Sequence, residues 1–286
     1  MTAATDRPVL VGLGTERNLP MVRLAAEEAV EHGRPLHLVH TFDWRSAFEA
    51  ETVAAPREEA EDLIAWANDL ARDVGPELAV TGEIVEGPRV PVLLRRSQQA
   101  FLLVVGDSGM STREDCVPAE APAVQFAAQA GCPVLVARGD PPPQGPVLVG
   151  VDGSPSSLQA LEWAFGCTRQ RGSRLLAIRV VEPDEDDEEI SRQLTESVDR
   201  YAGQHPEVAV ECHTIRGDPG RVLVEQSRSA QVAMIAPRGD EPGRGMLGAV
   251  AQALLYHAPA PVIVVRGLAD TAPRGARTST RQDQRP

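Results

Sequence analysis

Aromatic residues are scarce: three Trp, two Tyr and five Phe make up only 3% of the 286 residues, so Val, Leu and Ala must fill the core. Cysteines are few and scattered. Cys116, Cys132, Cys167 and Cys212 form no Cys-x-x-Cys pair and no His/Cys spacing suited to zinc. Basic residues are outnumbered, 28 Lys plus Arg against 41 Asp plus Glu, for a formal net charge of −13. An acidic chain repels phosphate backbones and anionic bilayers, so neither nucleic acid nor membrane is an expected partner. A small nucleotide is not excluded, because backbone N–H groups can hold phosphates inside an acidic protein. No apolar run reaches the length of a membrane span. Met1 leads into Thr-Ala-Ala-Thr-Asp, with neither a basic start nor an apolar signal core. A cytoplasmic protein with reduced thiols is the expectation.

What is present is a globular composition, 42% hydrophobic and 24% charged, at a length that suits two domains. Apolar strands alternate with helical patterns. Strands are expected at 8–13, 35–40, 77–85, 101–105 and 133–137, and helices at 18–33, 56–74, 88–96 and up to 130. Pro141, Pro142 and Pro143 make 140–145 a stiff linker. The pattern then restarts, with strands at 147–151, 174–181, 208–215, 232–236 and 261–265 and helices at 156–171, 184–202, 221–228 and 245–257. The halves repeat: Val9-Leu10-Val11-Gly12 matches Val147-Leu148-Val149-Gly150, and Cys132-Pro133-Val134-Leu135 matches Ala260-Pro261-Val262-Ile263. The fold class is therefore α/β, two tandem doubly wound, five-stranded, mostly parallel sheets. The units span 1–139 and 146–267, followed by a polar tail at 268–286 expected to be disordered.

Residues 147–154 are the organising stretch. A buried strand stops at Asp152-Gly153-Ser154, and Pro155 begins a helix. That places polar groups at the carboxyl edge of a parallel sheet, where open α/β sheets bind ligands. Asp152 can accept hydrogen bonds from ribose hydroxyls. Ser154 can contact a ligand or simply cap the helix, with Pro155 at its first position. Other strand ends carry Val180 and Gly217. The glycine-rich stretch 238–249, with Arg238, Gly239, Arg244, Gly248 and Ala249, precedes a helix and can either cradle phosphate or be a plain glycine loop with solvated charges.

The repeat, the opening Val-Gly-Val-Asp-Gly-Ser, the Gly-Asp-Pro turn and the closing Leu-Leu-Tyr-His-Ala-Pro-Ala-Pro-Val-Ile-Val-Val-Arg resemble the universal stress protein family in its tandem form. The resemblance implies an adenine nucleotide alpha hydrolase-like, Rossmann-like fold with two units related by a pseudo-two-fold axis. Pairing through the last strands would make an intrachain pseudo-dimer, with a homodimer as a further option. Members of the ATP-binding branch carry a Gly-x-x-Gly-x9-Gly-Ser/Thr loop. The implied cofactor is ATP, with magnesium. The implied binding residues are Asp152, Gly153, Ser154, Val180, Gly217, Arg238, Gly239, Gly248 and Ala249.

The glycine motif departs from the pattern. Ala236 stands at the first Gly, only eight residues separate Gly239 from Gly248, and Ala249 replaces the Ser/Thr. Losing one hydrogen bond to a charged group costs roughly 1.5–3 kcal/mol, about ten- to a hundredfold in affinity. The first unit departs further: Gly14 replaces Asp152, and Glu120-Ala121 stand where Gly248-Ala249 do. That unit is expected not to bind ATP. Two functions remain open, a stress-response regulator with a weak nucleotide site in the second unit, and a tandem scaffold acting through protein contacts alone. No nucleophile elbow or complete Walker loop occurs, so an enzyme is not expected. His37 and His40 read as edge or loop residues, His257 as a helix C-terminal cation, Cys132 and Cys167 as buried small hydrophobes, and 182–189 as a solvated acidic helix start rather than a metal site.

Overall fold

The computed structural model describes residues 7–14, 19–42, 54–107, 110, 121–138, 145–181, 186–237 and 246–266. In the first unit the elements run β1 (Val9–Leu13), α1 (Leu19–Glu31), β2 (Leu36–Phe42), α2 (Ala54–Val74), β3 (Val80–Glu86), α3 (Arg89–Ser97), β4 (Leu102–Gly106), α4 (Pro122–Gln129) and β5 (Val134–Ala137). The second unit repeats them as β6 (Val147–Gly150), α5 (Pro155–Gln170), β7 (Arg174–Val181), α6 (Asp187–Ala202), β8 (Ala209–Arg216), α7 (Pro219–Ser227), β9 (Val232–Ile235), α8 (Ala249–His257) and β10 (Val262–Val264).

Central strands β1, β6 and β9 are buried at every position. This follows from their continuous apolar runs, such as Val-Leu-Val-Gly-Leu in β1 and Val-Ala-Met-Ile in β9, as parallel strands covered on both faces require. The outermost strands β3 and β8 instead interleave Thr, Glu, Cys and His with apolar residues and are half-exposed, which blunts a pairing edge. Helices α1, α2, α5 and α6 pack on one face of the sheet around Val22, Ala67, Phe165 and Leu194. The opposite face is covered by α3, α4, α7 and α8 around Leu93, Phe126, Leu223 and Leu254. Both units are thus doubly wound.

The strands form one ten-stranded sheet, in the order β3-β2-β1-β4-β5-β10-β9-β6-β7-β8. Sequence reading anticipates two sheets; they are joined because β5 and β10 pair antiparallel, with Leu135 opposite Ile263. Each unit's last strand would otherwise leave a row of backbone donors and acceptors unpaired. The joint is therefore a pseudo-two-fold pairing within one chain. All other strand pairs are parallel.

A second contact joins the units on the α1 and α5 side. Arg171, at the end of α5, pairs with Glu28 of α1, a glutamate only 1% exposed, and donates to Gln231 at 3.0 Å. Phe101 and Trp163 stack across the same seam at 5.1 Å. The linker prolines and the tail expected at 268–286 lie outside the described residues. The last helix begins later than its pattern suggests. Residues 246–248 are not helical, and Gly248 is the N-cap of α8, in extended backbone with its N–H bound to the Pro237 carbonyl at 2.7 Å.

Candidate functional site

At the end of β6 the chain leaves the sheet, and each polar group there has a structural reason. The Val151 N–H still pairs with the Ile178 carbonyl at 2.8 Å. One residue on, Asp152 turns outward and its Oδ1 accepts the Ser154 N–H at 2.9 Å. Gly153 lies in left-handed backbone at φ 84°, where a side chain would be strained. Ser154 caps α5: its hydroxyl accepts the Ser157 N–H at 3.2 Å, and Pro155 follows at the first helical position. The Ser157 hydroxyl donates to the Ser154 carbonyl at 3.0 Å and accepts the Asp152 N–H at 3.3 Å. Burial pushes the Asp152 carboxyl up, but hydrogen bonds from Ser154 and Ser157 outweigh it and hold the group below the usual aspartate range. Asp152 is therefore ionised at neutral pH, an acceptor only.

This turn forms one wall of a cleft of about 840 Å³, counting its open mouth, at the carboxyl edge of the second sheet. It opens where strand order reverses, between β6 and β9, the usual ligand position in open α/β sheets. Asp152, Arg179 and Val180 line one side, and Ala236, Pro237 and residues 248–251 the other, above Leu223 and Ile235. Gly248 has no side chain with which to cap α8. The first-turn N–H groups of α8 therefore face the cleft as an open helix N-terminus, a natural seat for an anion.

The structure brings together Asp152, Val180, Gly248 and Ala249. Arg238 and Gly239 lie outside the described residues. Three of the anticipated residues do not line the cleft. Ser154 does not line the cleft, because it is buried and its hydroxyl is committed to the helix start. Gly217 sits in the turn before α7, away from the cleft, where Asp218 caps that helix through the Arg221 N–H at 2.8 Å; Pro219, two residues on, reaches the lining instead. Gly153 does not line the cleft either, but it gives the turn its shape.

Arg179 is the residue that reading strands one at a time misses. Its signal is register: Gly150, the last residue of β6, is aligned with Ile178, so everything beyond Ile178 overhangs the cleft. In the first unit the corresponding place is filled differently. Arg89 stands where Pro219 does, and its guanidinium donates to the Gly12 carbonyl at 2.9 Å, at the end of β1. Gly14 supplies no carboxylate there. Glu120 lies outside the described residues.

The remaining candidates behave as structural groups. His37 bonds to Thr81 at 2.8 Å and Glu83 at 3.0 Å near the sheet edge. Burial, with Arg89 close by, pushes the His40 imidazole down. Burial pushes the Cys132 and Cys167 thiols up to about 12. Asp186 caps α6 through the N–H groups of Glu188 and Glu189, and among the described residues no cluster of His, Cys, Asp or Glu could hold a metal.

The sequence model described as "Universal stress protein family" matches residues 6–138 and again 145–266. The chain belongs to the universal stress protein family. It is similar to a universal stress protein of Mycobacterium tuberculosis (strain ATCC 25618 / H37Rv), 33% identical over 267 residues, covering 84% of this chain and 90% of the relative. A universal stress protein of Archaeoglobus fulgidus (DSM 4304) has a crystal structure that matches 92% of this chain and 97% of its own at a TM-score of 0.71 and 16% identity, a likeness of fold. A universal stress protein solved in complex with cAMP matches 43% of this chain at 26% identity and a TM-score of 0.36. The tandem form anticipated from the repeat is the form these comparisons show. As a universal stress protein the chain carries two unlike units, one with an open cleft beside Asp152 and one in which Arg89 binds the Gly12 carbonyl at the corresponding place. Among its described residues no helix is long and apolar enough to cross a membrane.

Proposed function

We propose that this tandem universal stress protein is a stress-response regulator that binds an adenine nucleotide, ATP with magnesium, weakly and in its second unit alone. One observation carries the reading: the cleft beside β6 sets an ionised Asp152 opposite the uncapped N-terminus of α8. A carboxylate that accepts ribose hydroxyls and a helix N-terminus that receives phosphate are the two halves of a nucleotide site. The residues present fit such a ligand. Asp152 would hold the ribose, the backbone of Gly248 and Ala249 the phosphates, and Ile178 and Val180 an apolar wall for the base. Magnesium would arrive on the phosphates, since the cation prefers phosphate oxygens and water to a protein cage.

The Ser157 hydroxyl beside Asp152 donates to the Ser154 carbonyl at the start of α5, so no reaction is assigned and the nucleotide acts as a signal whose occupancy sets conformation or partner binding. Cys132, Cys167 and Cys212 are free thiols, as a reducing, cytoplasmic compartment would leave them. A scaffold without nucleotide is the second reading, favoured by Ala249, which puts a methyl group where a hydroxyl would meet the phosphate.

Isothermal titration of ATP and magnesium into the intact chain and into Asp152→Ala decides between them. The nucleotide reading expects about one site per chain, lost or greatly weakened in the variant. No heat at millimolar ATP, together with an unchanged melting temperature, would overturn it and leave the scaffold.

A further inference from the structure

Arg179 is a cation that nothing among the described residues answers. It is half-buried near the end of β7 and lines the cleft mouth with Asp152. Among the described residues it has no hydrogen bond, ion pair or ring contact. Other inward-facing arginines are engaged: Arg171 with Glu28, Arg89 with the Gly12 carbonyl, Arg138 with three carbonyls. The guanidinium lies across the Gly153 turn, and a Cβ on Gly153 would stand 2.8 Å from its Nη1. The same glycine that makes the turn therefore gives the arginine its place over the mouth.

The cleft thus has positive groups at both ends with a carboxylate between them. The α8 N-terminus lies on the β9 side, Asp152 follows β6, and Arg179 lies near the end of β7; β6 lies between β9 and β7 in the sheet. Two strand spacings, about 10 Å, separate the outer poles. A nucleotide with its 5′-phosphate on α8 and its ribose over Asp152 turns its 2′,3′ edge toward Arg179. In nucleotide sites of this topology an acidic residue takes a free ribose hydroxyl, or else a nearby arginine accommodates a phosphate on that sugar. Both groups are present here. One hydroxyl can bind Asp152 while the other is esterified, and Asp152 Oδ1 is already occupied by the Ser154 N–H.

We infer, building on the nucleotide reading above, that Arg179 receives a phosphate esterified to the ribose 2′ or 3′ oxygen, so that the site prefers adenine nucleotides phosphorylated on the ribose as well as at the 5′ position. The first unit shows the contrast. His40, also next to the strand end, takes the corresponding position, and burial beside Arg89 keeps it from serving as a cation.

The test is titration of the full chain with 5′-AMP, adenosine 2′,5′-bisphosphate and adenosine 3′,5′-bisphosphate, repeated with Arg179→Gln. One of the bisphosphates binds at least about tenfold more tightly than 5′-AMP, the effect of one added charge-assisted contact, and Arg179→Gln brings that ratio close to one. Equal affinities for the three ligands in the intact chain overturn the inference and leave the nucleotide site standing. So does a ratio that survives in Arg179→Gln. Failure of all three ligands to bind overturns the nucleotide reading and this inference together.

Discussion

Arg138 and Arg266 are reciprocal braces across the pseudo-two-fold axis. Each follows the last strand of its own unit and reaches the end of the last helix in the other. Arg138 Nη2 donates to the Leu254 and Leu255 carbonyls at 3.0 Å each, at the C-terminal end of α8. Arg266 Nη1 donates to the Ala127 carbonyl at 2.6 Å, at the C-terminal end of α4. Helix C-termini leave carbonyls unsatisfied and carry partial negative charge, so a cation from the neighbouring unit answers both needs. The chain has no lysine, and the planar guanidinium suits this forked role.

The two braces differ in burial, and their removal should differ in cost. Arg138 is buried and also lies 3.5 Å from Asp107, whereas Arg266 is only half-buried. Arg138→Met leaves the Leu255 carbonyl without its donor and Asp107 without this cation, and should cost about 3 kcal/mol or more. Arg266→Met should cost about 1 kcal/mol. Urea unfolding of the two variants measures this; equal small losses would show that strand pairing alone holds the joint.

Glu28 and Arg171 predict a pH effect with a definite sign. Burial pushes the Glu28 carboxyl up, but His32 and Arg171 outweigh it and hold it below its ordinary value of 4.5. A carboxylate lowered on folding stabilises fully above its unfolded value and loses that contribution as pH falls below about 4.5. Glu27 and Glu31 are raised by burial, so they act in the opposite sense and offset part of the acid loss. Glu28→Gln leaves a buried guanidinium poorly compensated and should cost about 3–5 kcal/mol at pH 7. The gap between wild type and variant should narrow between pH 5 and pH 3.5. Denaturant midpoints across that range check it; a constant gap would mean Glu28 acts by packing rather than charge.

What was legible in the sequence was whatever depends on residues near one another in the chain. The Val and Leu run of β6, the Ser154 cap and Pro155 announce a strand, a turn and a helix within a dozen positions, and the repeat doubles the signal. What stayed hidden depends on register and on where turns point. Arg179 becomes a cleft residue only once Ile178 is aligned with Gly150. Arg89 reaches the end of β1 only because α3 packs over it, within reach of Gly12. Gly217 carries the right motif, but its turn faces away from the cleft while Pro219 faces in. The start of α8 is hidden because Met246 and Leu247 continue an apolar pattern that Gly248, in extended backbone, interrupts.

Cysteine reactivity should follow burial. Cys132 and Cys167 are buried with thiols pushed up to about 12, so at pH 8 almost none of either is thiolate, the reactive form. Cys212 is exposed on the outer strand β8 and is raised only by partial burial and Asp199. Iodoacetamide on the native protein, followed by peptide mapping, should label Cys212 and spare Cys132 and Cys167 until denaturant is added. Rapid native labelling of Cys132 or Cys167 would mean that the core around it opens readily.

Ala249 gives the sharpest test of where phosphate lies. It is the first residue of α8 and lines the cleft immediately after the uncapped Gly248. A serine there adds a hydroxyl beside the helix N–H groups at little cost to the helix, since the first turn has no intrahelical partner for its own N–H. If the nucleotide's phosphates rest on this terminus, Ala249→Ser gains one hydrogen bond to a charged group, about 1.5–3 kcal/mol, or roughly ten- to a hundredfold in ATP affinity. Adenosine has no phosphate to meet the new hydroxyl and gains nothing, so the ratio of ATP to adenosine affinity isolates the contact. Titration calorimetry on both ligands reads that ratio directly. A rise confined to ATP places the phosphates at the start of α8; an unchanged ratio would move them off this terminus and remove the main physical support for the nucleotide site.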